Sequence, residues 1–470
     1  MPLRSADERL DEVVLAHDVR GTVPDPLDGG LVRALARAFA ELVAAEGTRT
    51  VVVGHDMRTH SLELVDGLLA GVTAAGSDVV LVGLASTDQL SFASGHLNLP
   101  GVMVTASHNP AAYNGLKLCR GGARPVGRDS GLRDVRDRAA ELLCAGAPAP
   151  ASARTGTVRH ADVLPDYAAC LRALVPLPKA ARRLRVVVDA GNAMAGHTVP
   201  VVLGPLAVDV VPVHFDLDGT FPHHDPNPLD PTTLVELQQR VVYEGADLGL
   251  AFDGDADRCF VVDERGGVVD PSVVTALIAV RALAREPGAT VVHNLVCSRA
   301  VAEIVTEHGG RPVRTRVGHS VVKAEMARTG AVLGGEHSGH FYFRDFWCAD
   351  SGMLAALHVL AALAGDPRPA TAQLAPYVRY AGSGEVNRRV PDVGSVVGKV
   401  REVWSGHAGV VVDELDGLTV AHAEWWFNLR ASHTEPLLRL NVEALDAATM
   451  RQVRDEVLDL VDTAAPTGRS

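Results

Sequence analysis

One pattern recurs three times along the chain and constrains the fold more than any other feature. An apolar, β-branched run is followed by a polar turn, a helix-like stretch and a second apolar run. The first copy is "RTVVV" at 49–53, with an amphipathic helix expected at Ser61–Ala74 and then "SDVVLVG". The second is "LRVVVDAGNAMAGHTVPVVL" leading into "AVDVVPVHF", and the third is "ATVVHNLVCSRAVAEIV" leading into "RPVRTRVGHS". Strand, turn, helix, strand is the order of a βαβ unit with covered strands. The copies are spaced far beyond the roughly 20–50 residues of a solenoid period. Three related α/β domains are therefore expected, and 470 residues are more than one core can organise.

The remaining organisation follows from composition shifts. "CAGAPAPASARTG" at 144–156 and "GDPRPATAQLAP" at 365–376 are linker-like. Beyond the second linker the pattern changes. "GVVVDEL", an Asp416-Gly417 turn, "LTVAHA", "WWFNLRAS" and "PLLRLNVEA" are short alternating strands, and 447–461 is a closing helix. That predicts a C-terminal α+β domain with meander-like strands. The expected domains are 1–155, 156–258, 259–376 and 377–470.

Charge and cysteine usage exclude several classes. A net charge of −13 makes the chain a poor generic nucleic-acid binder, so any anionic ligand needs basic groups concentrated locally. No run of some 18 apolar residues is present, which predicts no membrane span. The opening "MPLRSADERLDE" is charged and lacks an apolar core, which predicts no secretory signal. The six cysteines are scattered without a CxxC and suit a reducing cytoplasm. A cytoplasmic monomer is expected.

Four stretches carry chemistry. In "VTASHNPAAYNG" (104–115), a buried-looking strand ends in Thr105, Ser107, His108 and Asn109 before Pro110 stops it. This is either a well-capped turn or a nucleophilic Ser107 displayed on a rigid one. In "LGLAFDGDADRCFVVDERGG", Asp253, Asp255 and Asp257 alternate between two apolar runs. In an extended segment this spacing sends three hard oxygen donors to one side, as Mg²⁺ or Ca²⁺ requires. An EF-hand with Glu264 at its twelfth position is the competitor. It fails because Arg258 replaces the turn glycine and the flanks read as strands. Arg258 beside such a metal suits a phosphate oxygen.

"GGEHSGHFYF" sets Glu336, His337, Ser338 and His340 between glycine turns. The HxxH spacing raises zinc, but a glycine loop offers no helical face, and short polar groups suit sugar hydroxyls better. Upstream, "RTRVGHSVVK" places Arg314, Arg316, His319 and Lys323 at a strand end, which is otherwise a solvated basic edge. In "LRASHTEPLLRL", Arg430, Ser432, His433 and Thr434 form either a phosphate cradle or an ordinary hairpin loop. Arg20 in "AHDVRGTVP" and Lys117 in "YNGLK" complete the set. Together these make a phosphoryl-transfer site for an anionic polyol. The chain has no Walker A and no GxGxxG, which argues against an NTP- or NAD-dependent enzyme.

"TASHNP", "DGDADR" and "GEHSGH", in this order, resemble the α-D-phosphohexomutase family, most closely its phosphomannomutase/phosphoglucomutase branch. The resemblance spans essentially the whole chain. It implies three related α/β domains and a TATA-binding-protein-like fourth around a central cleft. It also implies a phosphorylated Ser107 bound to Mg²⁺ with Asp253, Asp255 and Asp257. Arg20, Lys117 and His319 then match positions near the transferred phosphoryl group. Arg258 and His340 join the substrate site. Glu336 and Ser338 match sugar-hydroxyl readers, and Arg430, Ser432 and Thr434 match the holder of the non-reacting phosphate. The implied substrates are hexose phosphates, with a hexose 1,6-bisphosphate as intermediate and activator. The sequence departs from the family pattern at His17, where Tyr is frequent, and at His433, where Asn or Gly is usual. The rivals are a phosphoglucomutase or dual-specificity enzyme, a phosphatase, and a catalytically inactive metal-binding regulatory protein.

Overall fold

The computed structural model describes residues 4–145, 154–178, 181–431 and 437–464. Its first three sheets repeat one topology. In the second domain the order is Val208–Val213, Leu184–Asp189, Leu248–Phe252, Cys259–Asp263, Val268–Val269. In the third it is Arg311–Thr315, Thr290–Asn294, Leu333–Gly335, Phe341–Phe343, Ala349–Asp350. Three parallel strands are thus followed by antiparallel ones. The first sheet holds the same core, Asp78–Leu84, Thr50–His55, Gly101–Val104 and antiparallel Tyr113–Arg120, extended at its two edges by Val158–His160 and Val19–Thr22. The central strands are buried along their length, "GVMV" and "LGLAF" without exception, as helices on both faces require.

The fourth sheet is antiparallel throughout, in the order Ala381–Arg388, Leu438–Ala444, Trp425–Ala431, Leu418–Ala421, Val411–Asp413. Helices Val393–Trp404 and Ala447–Ala464 contribute to its core.

Two expected boundaries need correction. A cut after residue 258 divides the Leu248–Phe252/Cys259–Asp263 hairpin, so the second domain continues to Val268–Val269. A cut after 155 detaches Val158–His160 from the first sheet, where it pairs with Asp78–Leu84. Among the described residues, no helix is long and apolar enough to cross a membrane.

The first three domains meet at a buried carboxyl. Asp88, on helix Thr87–Leu97, accepts hydrogen bonds from Tyr167 of the second domain and Ser351 of the third, both at 2.7 Å, and from Ser86. Burial pushes Asp88 up to about 6, against the opposing pull of the Ser351, Ser86 and Tyr167 hydroxyls. A carboxyl raised in the folded state contributes fully below its unfolded value near 4, and the contribution is lost as pH rises through 6. Asp88→Asn, which cannot ionise, should therefore gain on the wild type by up to about 3 kcal/mol between pH 4 and pH 7.5. Urea midpoints across that range measure it, and a constant difference would show that Asp88 does not titrate there.

Candidate active site

The three site loops occupy equivalent places. Each joins the third parallel strand of its sheet to the antiparallel strand beside it: after Gly101–Val104, after Leu248–Phe252 and after Leu333–Gly335. Loops at the carboxyl ends of strands in α/β sheets face the ligand crevice.

Ser107 is fully buried and sits at φ +50, a left-handed conformation that a serine adopts only when its surroundings hold it there. Its N–H donates to Thr105 Oγ1 at 2.9 Å, and its Oγ donates to Asp253 Oδ2 at 2.8 Å. The metal-type loop closes directly on the serine loop because residue 254 is glycine: a Cβ there would stand 2.3 Å from the Ser107 carbonyl oxygen.

What fixes the serine turn is Arg58, which the sequence reading passed over as part of a polar turn. Its guanidinium donates to four carbonyl oxygens, those of Ser107 (2.7 Å), Asn109 (2.6 Å), Pro110 (2.9 Å) and Tyr113 (3.0 Å). It also pairs with Asp56 at 3.3 Å and lies over the Phe221 ring of the second domain at 4.9 Å. Arg58→Met would leave these carbonyls without their donor and the buried Asp56 without its counter-charge. We expect a loss of roughly 3–5 kcal/mol in stability and a fall in kcat of at least about a hundredfold, since an in-line transfer tolerates little misplacement. Arg58→Lys should recover only part, because an ammonium cannot span the fork. Melting curves and steady-state kinetics of both variants test this, and a wild-type kcat in Arg58→Met would refute it.

Asp253, Asp255 and Asp257 are each at most 1% exposed, and one carboxylate oxygen from each lies within 4.8 Å of the others. Burial and the neighbouring Asp257 and Asp255 push Asp253 well above the usual carboxylate range. Asp257 is held well below it, because Lys117 and His340 outweigh its burial. Lys117 donates to Asp255 Oδ2 at 2.6 Å and Asp257 Oδ2 at 2.7 Å. Thr87 fixes Asp255 from the first domain, through its N–H to the carbonyl and its hydroxyl to Oδ2. Asp255 Oδ1 and Asp257 Oδ1 are buried with no hydrogen-bond partner. A hard divalent cation satisfies such a set of oxygens. The EF-hand alternative fails, since Glu264 turns away to accept from Thr371.

The cationic groups surround this centre. Arg20 is anchored by Asp18 at 2.8 Å and reaches Asn109 Oδ1 at 2.6 Å and the Ala106 carbonyl at 3.3 Å. Arg258 lies 3.4 Å from Asp253 and donates to His108 Nδ1 at 2.7 Å. A cavity of about 90 Å³ is lined by Arg20, Lys117, Asp257, Arg258, His319 and His340, among others. Burial, then Lys323 and His17, hold His319 well below its ordinary pKa, so it is neutral at pH 7. His17 meets the His319 ring edge-on at 5.1 Å and contacts Ser320 Oγ at 2.8 Å across the first and third domains.

The third loop adjoins the same centre. His340 Nε2 is 3.5 Å from Asp257 Oδ1, and the Ser338 hydroxyl is 3.0 Å from His340 Nδ1. Glu336 is buried, accepting from Asn294 and the Gly318 N–H at 3.1 Å and from the Tyr342 hydroxyl at 2.7 Å. The HxxH pair does not converge: His340 faces Asp257, while His337 faces Glu385 of the fourth domain at 3.5 Å. Arg314 leaves the site for Asp413 and Thr419.

Arg430 lies apart from the cavity. It is 2% exposed and donates to Glu385 at 2.9 Å. Glu385, held at about 2 by His337, Arg439 and Arg430 against its burial, ties the fourth domain to the third. Ser432, His433 and Thr434 lie outside the described residues.

The chain matches four family models: phosphoglucomutase/phosphomannomutase alpha/beta/alpha domain I at 12–141, domain II at 165–267, domain III at 270–380, and the C-terminal domain at 385–460. A phosphomannomutase of Escherichia coli is 37% identical over 454 residues, covering 95% of this chain and 98% of the relative. A protein named phosphohexose mutases from Xanthomonas campestris pv. campestris is 39% identical over 452 residues, covering 95% and 98%. The crystal structure of a phosphoglucomutase/phosphomannomutase family protein from Burkholderia thailandensis superposes with a TM-score of 0.87 at 32% identity, covering 99% of each chain.

Proposed function

The chain belongs to the phosphoglucomutase/phosphomannomutase family, and on that premise we propose that it interconverts mannose 1-phosphate and mannose 6-phosphate through a phosphorylated Ser107. It is an isomerase of the phosphohexomutase class. The observation that carries the proposal is Ser107 Oγ, 2.8 Å from Asp253, with Asp255, Asp257, Lys117, Arg20 and Arg258 gathered around it.

In this reading phosphoserine 107 gives its phosphoryl group to the free hydroxyl of the hexose phosphate. The bond from Ser107 Oγ to phosphorus breaks, the bond from phosphorus to the sugar oxygen forms, and a hexose 1,6-bisphosphate results. That intermediate turns around, and Ser107 takes the other phosphoryl group. Asp253, Asp255 and Asp257, with Ser107, would hold Mg²⁺, which offsets charge on the transferring oxygens when bound. Lys117, Arg20 and Arg258 share that task, and neutral His319 is suited to hold the proton of the attacking hydroxyl. Glu336, Ser338 and His340 read sugar hydroxyls. Hexose 1,6-bisphosphate serves as activator, and the enzyme works as a cytoplasmic monomer.

Coupled assays on mannose 1-phosphate and glucose 1-phosphate, with a trace of bisphosphate, test the assignment. Turnover on neither, or phosphate release in place of isomerisation, would overturn it. A second reading, dual specificity, is favoured by the name of the Xanthomonas relative. Equal kcat/KM on the two sugars would establish it.

Arg430, with Ser432 and Thr434, is assigned to the non-reacting phosphate. Such a contact is made in both ground and transition states, so Arg430→Ala should chiefly raise KM. A charge-assisted contact worth roughly 1.5–3 kcal/mol corresponds to a loss of about ten- to a hundredfold or somewhat more in kcat/KM. Intact mass should show Ser107 still phosphorylated. An unchanged KM would reduce this turn to a hairpin.

A further inference from the structure

A second cluster of metal-ligating side chains stands outside the cavity, on the second domain. Asp189 ends the strand Leu184–Asp189, and His214 directly follows Val208–Val213, the parallel strand beside it. Parallel pairing brings both to the same end of the sheet. His224 returns to them from the "FPHHDPNP" stretch, which the mutase reading leaves unused. One carboxylate oxygen of Asp189 and one ring nitrogen from each of His214 and His224 lie within 4.8 Å of one another. The corresponding spacing around a tetrahedral zinc ion, with bonds of about 2.0–2.1 Å, is about 3.3 Å. Small side-chain rotations close that difference.

The hydrogen bonds orient these groups as ligands. His224 Nδ1 is 2.8 Å from the Asp225 carbonyl, so that nitrogen carries a proton. Its Nε2 then faces Asp189 Oδ2 at 3.1 Å, while Asp189 Oδ1 accepts from the Gly191 N–H at 2.9 Å. An imidazole anchored through one nitrogen to a backbone carbonyl, with the other turned to a carboxylate, is the arrangement of metal-ligating histidines, and a cation entering there takes the place of the Nε2 proton. His214 Nε2 is 3.0 Å from Oε2 of the exposed Glu236. The side chains of Asp189, His214 and His224 are 2%, 10% and 19% exposed. The backbone is also fixed: Asn192 and His214 are both left-handed, at φ +58 and +52, and the Asn192 N–H donates to the His214 carbonyl at 2.8 Å.

We propose that Asp189, His214 and His224 bind a divalent cation of the zinc class, at a site separate from Asp253, Asp255 and Asp257. Imidazole nitrogens mixed with carboxylate oxygens select zinc, cobalt or nickel, whereas magnesium takes oxygens. The ion would brace the 214–224 loop. That loop carries Phe221, whose ring lies under the Arg58 guanidinium that holds the Ser107 turn.

Co²⁺ is the spectroscopic probe, titrated into chelator-stripped, full-length protein. We expect a visible d–d band of a four- or five-coordinate nitrogen-containing site, saturating at one equivalent in the wild type and in Asp255→Asn. Zn²⁺ should displace it and millimolar Mg²⁺ should not. The band should vanish in His214→Asn, chosen because asparagine tolerates the left-handed backbone, and in His224→Gln, with circular dichroism unchanged. Absence of the band in the wild type, its survival in both histidine variants, or its loss in Asp255→Asn alone would overturn the proposal. Should the histidine variants unfold, crystals of the wild type soaked in Zn²⁺ decide. Anomalous density between Asp189, His214 and His224 supports the site, and its absence refutes it.

Discussion

Ser107→Ala is expected to fold and to lose nearly all mutase activity, on the order of 10⁴-fold or more in kcat, since it deletes the proposed nucleophile outright. Stability should fall only modestly. The variant gives up the hydrogen bond to Asp253, worth about 0.5–1.5 kcal/mol, and a long contact of 3.4 Å to His108 Nδ1. It keeps the Arg58 bonds, which reach main-chain carbonyls that alanine also supplies. Residue 107 stays left-handed, where serine already bears most of the strain that alanine would. A melting temperature near wild type with no turnover therefore separates chemistry from folding. Intact mass supplies the second test: wild type should carry one phosphate in part of the population, and Ser107→Ala none. Near-wild-type turnover by the variant would end the covalent mechanism.

The parts of this site legible in the sequence are those written within a few consecutive residues. The triple aspartate could be read because alternation between two apolar runs has a geometric meaning at spacing two, and its flanks are indeed the strands Leu248–Phe252 and Cys259–Asp263. The same signal misled the domain division. The boundary after 258 falls at the end of the acidic loop, which is the turn of a hairpin whose second strand belongs to the same sheet as its first. Arg58 was illegible for a different reason. Its partners lie 49 to 55 residues away and are backbone oxygens, which carry no residue identity. Asp88 was hidden likewise, since Tyr167 and Ser351 stand 79 and 263 residues from it. The repeated topology was legible because it rests on apolar periodicity, whereas the contacts that lock the domains together rest on single polar side chains meeting across them.

Removal of the divalent cation should abolish turnover, by at least about a thousandfold, because charge stabilisation of the transferring group is usually the largest catalytic term. The physical basis is the imbalance at Asp253, Asp255 and Asp257. Three buried carboxylates are faced at short range by the Lys117 ammonium, bonded to two of them, and by Arg258, 3.4 Å from the third. Asp255 Oδ1 and Asp257 Oδ1 have no hydrogen-bond partner. A cation bound there adds the missing positive charge and satisfies those oxygens, so it should stabilise the fold as well as enable the reaction. Stabilisation by a ligand that binds only the native state reaches about 2.7 kcal/mol at a hundred times its Kd. EDTA-treated protein should therefore melt lower and be inactive, and Mg²⁺ should raise the activity and the melting temperature along one saturation curve, leaving unrestored only what the separate site at Asp189, His214 and His224 contributes to melting. Zn²⁺ should not restore activity, since an all-oxygen set beside a phosphate favours the harder ion. Asp255→Asn should shift the Mg²⁺ curve to higher concentration in melting and in kinetics together. Restoration by Zn²⁺ but not Mg²⁺ would overturn the ligand assignment, and full activity in excess EDTA would remove the cation from the reaction altogether.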